Sequence, residues 1–251
     1  QHASRRFCVH VAEERPVLHG PFDGFLELLL GVVQTADVRP ADVRALYNDL
    51  AQRGRGHLPE RVEEVVVLAE QLGFPWYLAM GRFYRGVARV ESGEGEAGIA
   101  EMQQAMVELA GIGSGIGAPQ WLAMLAEGLR KVGRHDDAMG ALALGVAQAE
   151  QQGQHYYDAE LHRLRAEILL DMDGNAVEEA EALFGQSLEI ARRQEAKTFE
   201  LRAATSLARL WQRQGKRDAA RALLAPLYAW FTEGFTTRDL RDAKALLEEL
   251  A

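Results

Sequence analysis

Small and large apolar residues recur along this chain at intervals of 40 to 42 residues. In each recurrence a small residue is followed four positions later by a large apolar one, a spacing that puts both on one face of a helix. These pairs are Gly98 and Met102, Ala138 and Leu142, Ala180 and Phe184, and Ala220 and Leu224. A second series of small residues precedes the pairs, at Gly86, Ala126, Ala166 and Ala208. The double register predicts helical hairpins whose two helices approach each other closely at the small residues.

The two series disagree at one place only. Between Ala166 and Ala180 the chain holds two extra residues, which fall in the turn-like segment "LDMDGNAVE". Insertions are tolerated in exposed turns, so the register holds across four hairpins. A further step of about 40 residues towards the N-terminus predicts a fifth, degenerate hairpin, marked by Leu46, Leu58, Val62 and Val65.

Glycines mark the predicted ends of the second helices. Gly73, Gly113 and Gly153 are 40 residues apart, and Glu195 takes this place in the fourth hairpin. Glycine just past a helix end adopts the left-handed capping conformation without steric cost. This explains the segment "GIGSGIGAP" at residues 111–119, which also satisfies a relaxed dinucleotide-binding fingerprint. That fingerprint needs a preceding strand, whereas "AEMQQAMVELA" predicts a helix, so we interpret the segment as a cap and turn.

Composition supports an all-α chain. Ala, Leu, Glu, Gln and Arg dominate from about Asp42 onward, and 48% of the 251 residues are hydrophobic. The formal net charge of −9 disfavours nucleic acid and anionic membrane surfaces as partners. The longest apolar run, residues 25–33, is too short to span a bilayer. Cys8 is the single cysteine and cannot form an intrachain disulfide, so we expect a cytoplasmic protein.

No catalytic constellation stands out in the sequence. A Walker loop, a serine nucleophile elbow and an HExxH motif are all absent. His155, Asp158 and His162 come nearest to a metal site, but such a site needs three or four converging ligands. We therefore expect no enzyme activity, no metal and no cofactor from this chain. A helical metal-dependent enzyme that uses these three residues is the alternative.

The small-x3-large pattern resembles the tetratricopeptide repeat, whose second helix carries Ala-x3-Phe. The chain departs from that repeat in its longer period, in the missing closing proline, and in keeping the first-helix aromatic only at Trp211. The resemblance implies an α-solenoid of tetratricopeptide-like hairpins, coiled as a right-handed superhelix, with the first helices lining a concave face. We expect residues 41–251 to form this repeat domain, with about five hairpins and a C-terminal capping helix. Residues 1–40 are either a separate segment or a degenerate repeat.

The same register predicts a partner-binding groove on the inward positions of the first helices. The groove is apolar at one end and charged at the other, and its residues are Met80, Phe83, Val87, Gln120, Glu127, Arg130, Glu160, Arg163, Glu167, Arg202, Arg209 and Gln212. Such a groove suits an extended peptide or a helix of a partner protein. A solvated face with scattered charges is the alternative.

A wider resemblance covers residues 46–250 and is most specific from Tyr156 onward. The segments "GEAGIAEMQQAM", "YYDAELHRLRAEILL" and residues 191–250 resemble the C-terminal repeat region of large bacterial signalling proteins. In those proteins a class III adenylate or guanylate cyclase domain, or a DNA-binding domain, precedes an AAA-type or STAND ATPase module. The resemblance implies a non-catalytic regulatory module in signal transduction, whose partner is a protein, a peptide or the attached domains. The alternatives are the repeat domain of an ATP-dependent transcriptional regulator and a free-standing scaffold.

Overall fold

The computed structural model of the protein describes residues 58–115 and 117–251. This part of the chain holds ten α-helices and no strand, together with a short 3-10 helix at His155–Tyr157. In chain order the helices are α1 (Leu58–Gln71), α2 (Pro75–Glu91), α3 (Gly95–Gly111), α4 (Ala118–Lys131), α5 (His135–Gln152), α6 (Asp158–Met172), α7 (Val177–Arg193), α8 (Lys197–Arg213), α9 (Arg217–Trp230) and α10 (Arg238–Glu249).

Consecutive helices pack as hairpins. The pairs α2 with α3, α4 with α5, α6 with α7, and α8 with α9 are each joined by a turn of a few residues and are in extensive contact. Helix α1 packs on α2, and α10 packs on α8 and α9. The predicted all-α solenoid of helical hairpins is confirmed. The predicted first helix around Leu46 and the domain boundary at residue 40 lie outside the described residues.

The hairpins are held together at the small residues that the sequence register selects. In the first complete hairpin the backbones of α2 and α3 touch: a Cβ atom added to Gly98 would lie 2.5 Å from the carbonyl oxygen of Gly86. In the next three hairpins alanine occupies these positions and is fully buried, at Ala126, Ala138, Ala166, Ala180, Ala208 and Ala220. The large partners four residues later are at most 2% exposed, at Met102, Leu142, Phe184 and Leu224. The small and large residues selected by the predicted register are therefore the ones at which the two helices of each hairpin pack.

The predicted helix caps are also confirmed. Gly73, Gly113 and Gly153 have φ angles of +66°, +73° and +64°. Glu195 occupies the equivalent place at φ +55° and is the one non-glycine residue with positive φ in the described part of the chain. Helix α3 immediately precedes the segment "GIGSGIGAP", so the strand that a dinucleotide-binding loop requires is not there.

The first helices of successive hairpins form a continuous row. Helix α2 contacts α4, α4 contacts α6, α6 contacts α8, and α8 contacts α10. Five helices side by side would span about 35 Å if the row were flat, because packed helices lie 8–10 Å apart. Yet Arg238 Nη1, at the start of α10, lies 3.8 Å from Glu91 Oε1, at the end of α2. The row therefore curls, and side chains on its inner side face one another. The right-handedness of this superhelix stays a prediction.

The close approach at Gly98 makes a first prediction. We expect Gly98→Ala to lower the free energy of unfolding by about 2 to 3 kcal/mol, because its Cβ meets backbone atoms that cannot move aside. The matched control is Gly140→Ala in α5, where an added Cβ meets nothing within 4 Å. This control should raise stability by about 0.5 to 1 kcal/mol through helix propensity. Urea unfolding of the full chain, followed by circular dichroism, measures both; equal effects would contradict the packing account.

The left-handed residue Glu195 makes a second prediction. We expect Glu195→Gly to raise the free energy of unfolding by about 0.5 to 1 kcal/mol, because glycine adopts a positive φ without the steric cost of a Cβ. The reverse change at the equivalent cap, Gly153→Ala, should cost about 1 kcal/mol, although an added Cβ there contacts nothing. Thermal and urea unfolding check the opposite signs. A loss of stability in the Glu195 variant would show that its side chain has a role beyond the cap.

Candidate functional site

The charged residues selected from the sequence lie along neighbouring first helices, and we call the side of the row that carries them the concave face. That this side is the inner one stays a prediction. Spacings of three and four residues bring them to one side of each helix. Helix α4 contributes Gln120, Glu127 and Arg130, α6 contributes Glu160, Arg163 and Glu167, and α8 contributes Arg202, Arg209 and Gln212. Of these, Glu160 and Arg163 are almost completely buried, at 2% and 8% exposure.

Glu167 joins three helices through its carboxylate. Arg163 Nη1 donates to Glu167 Oε1 over 2.7 Å, within α6. Ser206 Oγ of α8 donates to the same oxygen over 2.6 Å. Arg130 of α4 donates to Glu167 Oε2. Both carboxylate oxygens are thus satisfied by donors from α4, α6 and α8, and the carboxylate links the three helices.

The charges around Glu167 keep it ionised. Burial would raise the pKa of Glu167, because desolvation disfavours the charged form. The nearby charges of Arg163 and Arg130 and the hydrogen bond from Ser206 outweigh burial and lower this pKa from 4.5 to about 2. The carboxylate is therefore charged at every pH at which the protein would normally be studied.

The ionic contacts continue from α6 to the last helix. Arg163 Nε donates to Glu160 Oε1 over 2.6 Å. The other oxygen, Glu160 Oε2, lies 3.8 Å from Arg202 Nη1 of α8. Arg202 Nε in turn donates to Asp239 Oδ2 of α10 over 2.8 Å. Burial opposes the charge of Arg202, but Glu160 and Asp239 raise the pKa of its guanidinium group well above the usual range, so it stays a cation.

Two predicted residues lie farther along α8 and face α10. Arg209 Nη2 lies 3.7 Å from Asp242 Oδ2, and its side chain is 47% exposed. Gln212 Nε2 donates to Glu249 Oε2 over 2.9 Å. This end of the concave face is therefore polar and accessible to solvent.

At its apolar end the predicted groove is not open, because two of the three predicted residues there are buried. Phe83 is fully buried and Met80 is 5% exposed, whereas Val87 is partly exposed. The Phe83 ring lies 6.3 Å from the ring of Trp121, so it packs between α2 and α4. Helical periodicity indicates the side of α2 on which these residues lie, but not how deeply the neighbouring helix covers them. Phe83 and Met80 thus belong to the core.

Tyrosines on the concave face were missed in the sequence. Tyr156 is 45% exposed, and its hydroxyl donates to Gln120 Oε1 over 3.4 Å. Tyr157 is buried, with its ring 5.9 Å from that of Tyr156 and 5.2 Å from that of Phe199. Tyr84 of α2 interacts electrostatically with both of these tyrosines.

A simple signal could have found several of the missed residues. Tyr157 precedes Glu160 by three positions, and Ser206 follows Arg202 by four. Asp171 follows Glu167 by four and accepts a hydrogen bond from Arg130 Nε over 2.5 Å. Continuing the spacing of three and four by one step in each direction therefore recovers them.

Two of the three residues of the alternative metal site are in contact with each other. His155 Nδ1 lies 2.9 Å from Asp158 Oδ2. Burial lowers the pKa of His162, with Asp158 opposing and Arg165 reinforcing the effect. Within the described ranges, no group of three or more His, Cys, Asp or Glu residues is placed to hold a metal ion.

No helix in these ranges is long and apolar enough to cross a membrane. Cys8 lies outside them.

Comparison with known proteins gives structural neighbours only. No protein-family model matches the sequence. No curated protein matches it significantly. Two similar solved structures are of nearly identical TPR-like repeats assigned to a Podosopora anserina kinesin light chain: one has a TM-score of 0.49 and 18% identity and covers 84% of this chain and 97% of that chain. The other, a point variant of the same repeats, has a TM-score of 0.48 and 18% identity and covers 81% of this chain and 93% of that chain.

The position of Glu167 makes a third prediction. We expect Glu167→Gln to lower the free energy of unfolding at pH 7 by about 3 kcal/mol, because Arg130 and Arg163 lose a shared carboxylate partner. The matched control is Glu189→Gln, which removes an ion pair with Arg193 whose two side chains are 71% and 65% exposed. The control should cost less than about 0.5 kcal/mol.

The effect of Glu167→Gln should depend on pH in a defined direction. The pKa of Glu167 is lower in the folded chain than its ordinary value of 4.5, so its stabilising contribution is complete above pH 4.5 and is lost as the pH falls towards 2. The stability difference between wild type and variant should shrink over that window. Urea unfolding at several pH values measures it, and a difference that stays constant down to the acid limit would contradict the low pKa.

Proposed function

We propose that this chain is a non-catalytic binding module, whose concave face holds an extended peptide or a helix of a partner protein. The proposal is supported by one observation: hydrogen bonds and ion pairs link the polar side chains of α4, α6, α8 and α10 from each first helix to the next. Replacing buried ion pairs by apolar packing is often neutral or stabilising, so we attribute the concentration of these pairs on one surface to holding the exposed groups of that surface in position for recognition.

The shape of the row supports a groove. Its inner side is bounded by α2 at one end and by α10 at the other. These two helices approach each other at Glu91 and Arg238. Partly exposed groups lie along it, including Glu127, Tyr156 and Arg209. A bound segment would contact these groups while the buried ionic chain beneath them keeps the helices in register.

We also propose that the module regulates catalytic domains of a bacterial signalling protein, either a cyclase with an ATPase module or an ATP-dependent transcriptional regulator. This finer assignment is supported by the sequence resemblance of residues 46–250 alone. The reading frame upstream of residue 1 tests it. A phosphate-binding loop or cyclase domain in the same frame would support the assignment, whereas a start codon a short way upstream with no such domain would leave a free-standing scaffold.

A peptide selection tests the binding function and makes a fourth prediction. The full chain is immobilised and used to select binders from a random twelve-residue peptide library on phage, and the strongest peptide is then synthesised. We expect the double change Glu127→Lys with Arg209→Glu to weaken its binding by about tenfold or more, because both residues are partly exposed on the concave face.

The matched control also combines one Glu→Lys with one Arg→Glu change, so it has the same net charge as the double variant, but both of its changes lie on second helices. It combines Glu150→Lys in α5 with Arg221→Glu in α9, two exposed positions. This variant should change the affinity by less than about twofold. Circular dichroism first confirms that both variants are folded. Equal losses in the two variants, or a selection that enriches no peptide, would overturn the binding function.

A further inference from the structure

Polar contacts join each first helix to the next along the whole row. The ionic chain described above links α4 to α6, α6 to α8, and α8 to α10. At the start of the row, Glu91 at the end of α2 accepts a hydrogen bond from Lys131 of α4. At each of these four junctions the two helices also pack on each other. The polar contacts there therefore reinforce a contact that helix packing already makes.

A fifth contact, which we call the closing contact, joins the two ends of the row. Arg238 Nη1, at the start of α10, lies 3.8 Å from Glu91 Oε1. Helices α2 and α10 are not among the pairs that pack extensively on each other. The side chains of Arg238 and Glu91 are 61% and 46% exposed. The closing contact therefore depends on two long, exposed side chains rather than on packing.

The closing contact is joined by charges to the concave face. Lys131, which donates to the α2 carboxylate of the contact, lies 3.8 Å from Glu127 Oε1. On the other side, Arg238 Nε and Arg209 Nη2 lie 3.8 Å and 3.7 Å from Asp242 Oδ2. Positive and negative groups alternate along this series, so each attracts the next. The series begins and ends at residues of the predicted groove, and the closing contact lies midway along it.

The charges of the closing contact keep partners when they separate. Arg238 has Asp242 on its own helix, and Glu91 has Lys131 on α4. Opening therefore leaves neither charge unpaired, and the four packed junctions stay as they are. An ion pair between exposed side chains favours the closed arrangement by about fivefold at most. Both arrangements are consequently accessible to the free protein.

We infer that Glu91 and Arg238 form a latch, which holds the curl closed in the free protein and opens to admit the partner segment. The inference rests on the proposed function and on its prediction that the concave face is the inner side of the curl. The latch regulates access to that face. A segment that binds only the open arrangement shifts the equilibrium towards it, and its apparent affinity is reduced by the fraction of molecules that are closed.

Distances between α2 and α10 test the latch and make a fifth prediction. In a Cys8→Ser background, spin labels are attached after the changes Ser92→Cys and Arg241→Cys, at two exposed positions beside the latch. Pulsed electron paramagnetic resonance then measures the distance between the labels. We expect a predominant short distance at low salt. Arg238→Gln and Glu91→Gln should each raise the ratio of open to closed molecules by about two- to fivefold.

Three controls make this measurement specific to the latch. The double variant Glu91→Gln with Arg238→Gln should be no more open than either single variant, because the two side chains act as one pair. A salt concentration of about 1 M, which screens exposed charges beyond about 3 Å, should open the wild type and leave the double variant unchanged. Lys244→Gln removes an exposed cation of α10 whose partner, Glu248, lies on the same helix, and it should behave as the wild type does.

The peptide selected in the binding test connects the latch with recognition. Its association rate constant, measured by stopped-flow fluorescence, should rise by about two- to threefold in Arg238→Gln, because a larger fraction of molecules is open. The control Lys244→Gln should leave the rate constant unchanged. Distances that ignore Arg238→Gln, distances that respond equally to Lys244→Gln, or an association rate that does not rise in the opened variant would each overturn the inference.

These outcomes are distinct from failure of the binding function itself. If peptides bind through Glu127 and Arg209 but the label distances ignore Arg238→Gln, the binding function stands and the latch fails. If no peptide is enriched, or if binding ignores the double change at Glu127 and Arg209, the binding function fails. The inference then fails with it, whatever the distances show, because the latch has no segment to admit.

Discussion

The close approach of two helices at small residues is the constraint on which the rest of this structure depends. Where α2 meets α3 the side chains are reduced to glycine, and the carbonyl oxygen of Gly86 lies 2.5 Å from the point that a Cβ of Gly98 would occupy. Alanine serves the same purpose in the later hairpins. The two helices of each hairpin therefore lie close together, and a large apolar residue one turn away fills the space beside the contact.

Stacking such units brings the first helices into one row. Their small and apolar faces are occupied by the hairpin contacts, and polar side chains lie where one first helix meets the next. Polar residues there cannot be left unpaired at low exposure, which explains why Glu167 collects donors from three helices. Glu160 is unusual in this respect, since one of its oxygens is buried without a donor.

This arrangement separates two roles along the concave face. The mostly buried ionic chain from Arg130 to Asp239 ties successive first helices together. The partly exposed groups above it, including Glu127 and Tyr156, are free to contact a guest. Rigid support beneath an accessible polar rim is the arrangement that allows a surface to recognise a charged segment with little reorganisation.

The sequence by itself determined the helices, their hairpin pairing and their caps. These features depend on local preference and on a spacing of small and large residues that only one packing register satisfies, as Gly113, Ala138 and Leu142 illustrate. The charged residues of the predicted groove follow the same spacing, because residues three and four apart share a helix face, and their role in binding stays a prediction. Tertiary structure decided the depth of each position: Phe83 is in the core, whereas Tyr156, absent from the predicted set, is exposed on the concave face. It also decided which charges meet across the curl, since Glu167 and Ser206 are 39 residues apart and come together only when α6 and α8 pack. Periodicity specifies a direction around one helix, but burial and pairing depend on how far neighbouring helices approach, which no single helix encodes.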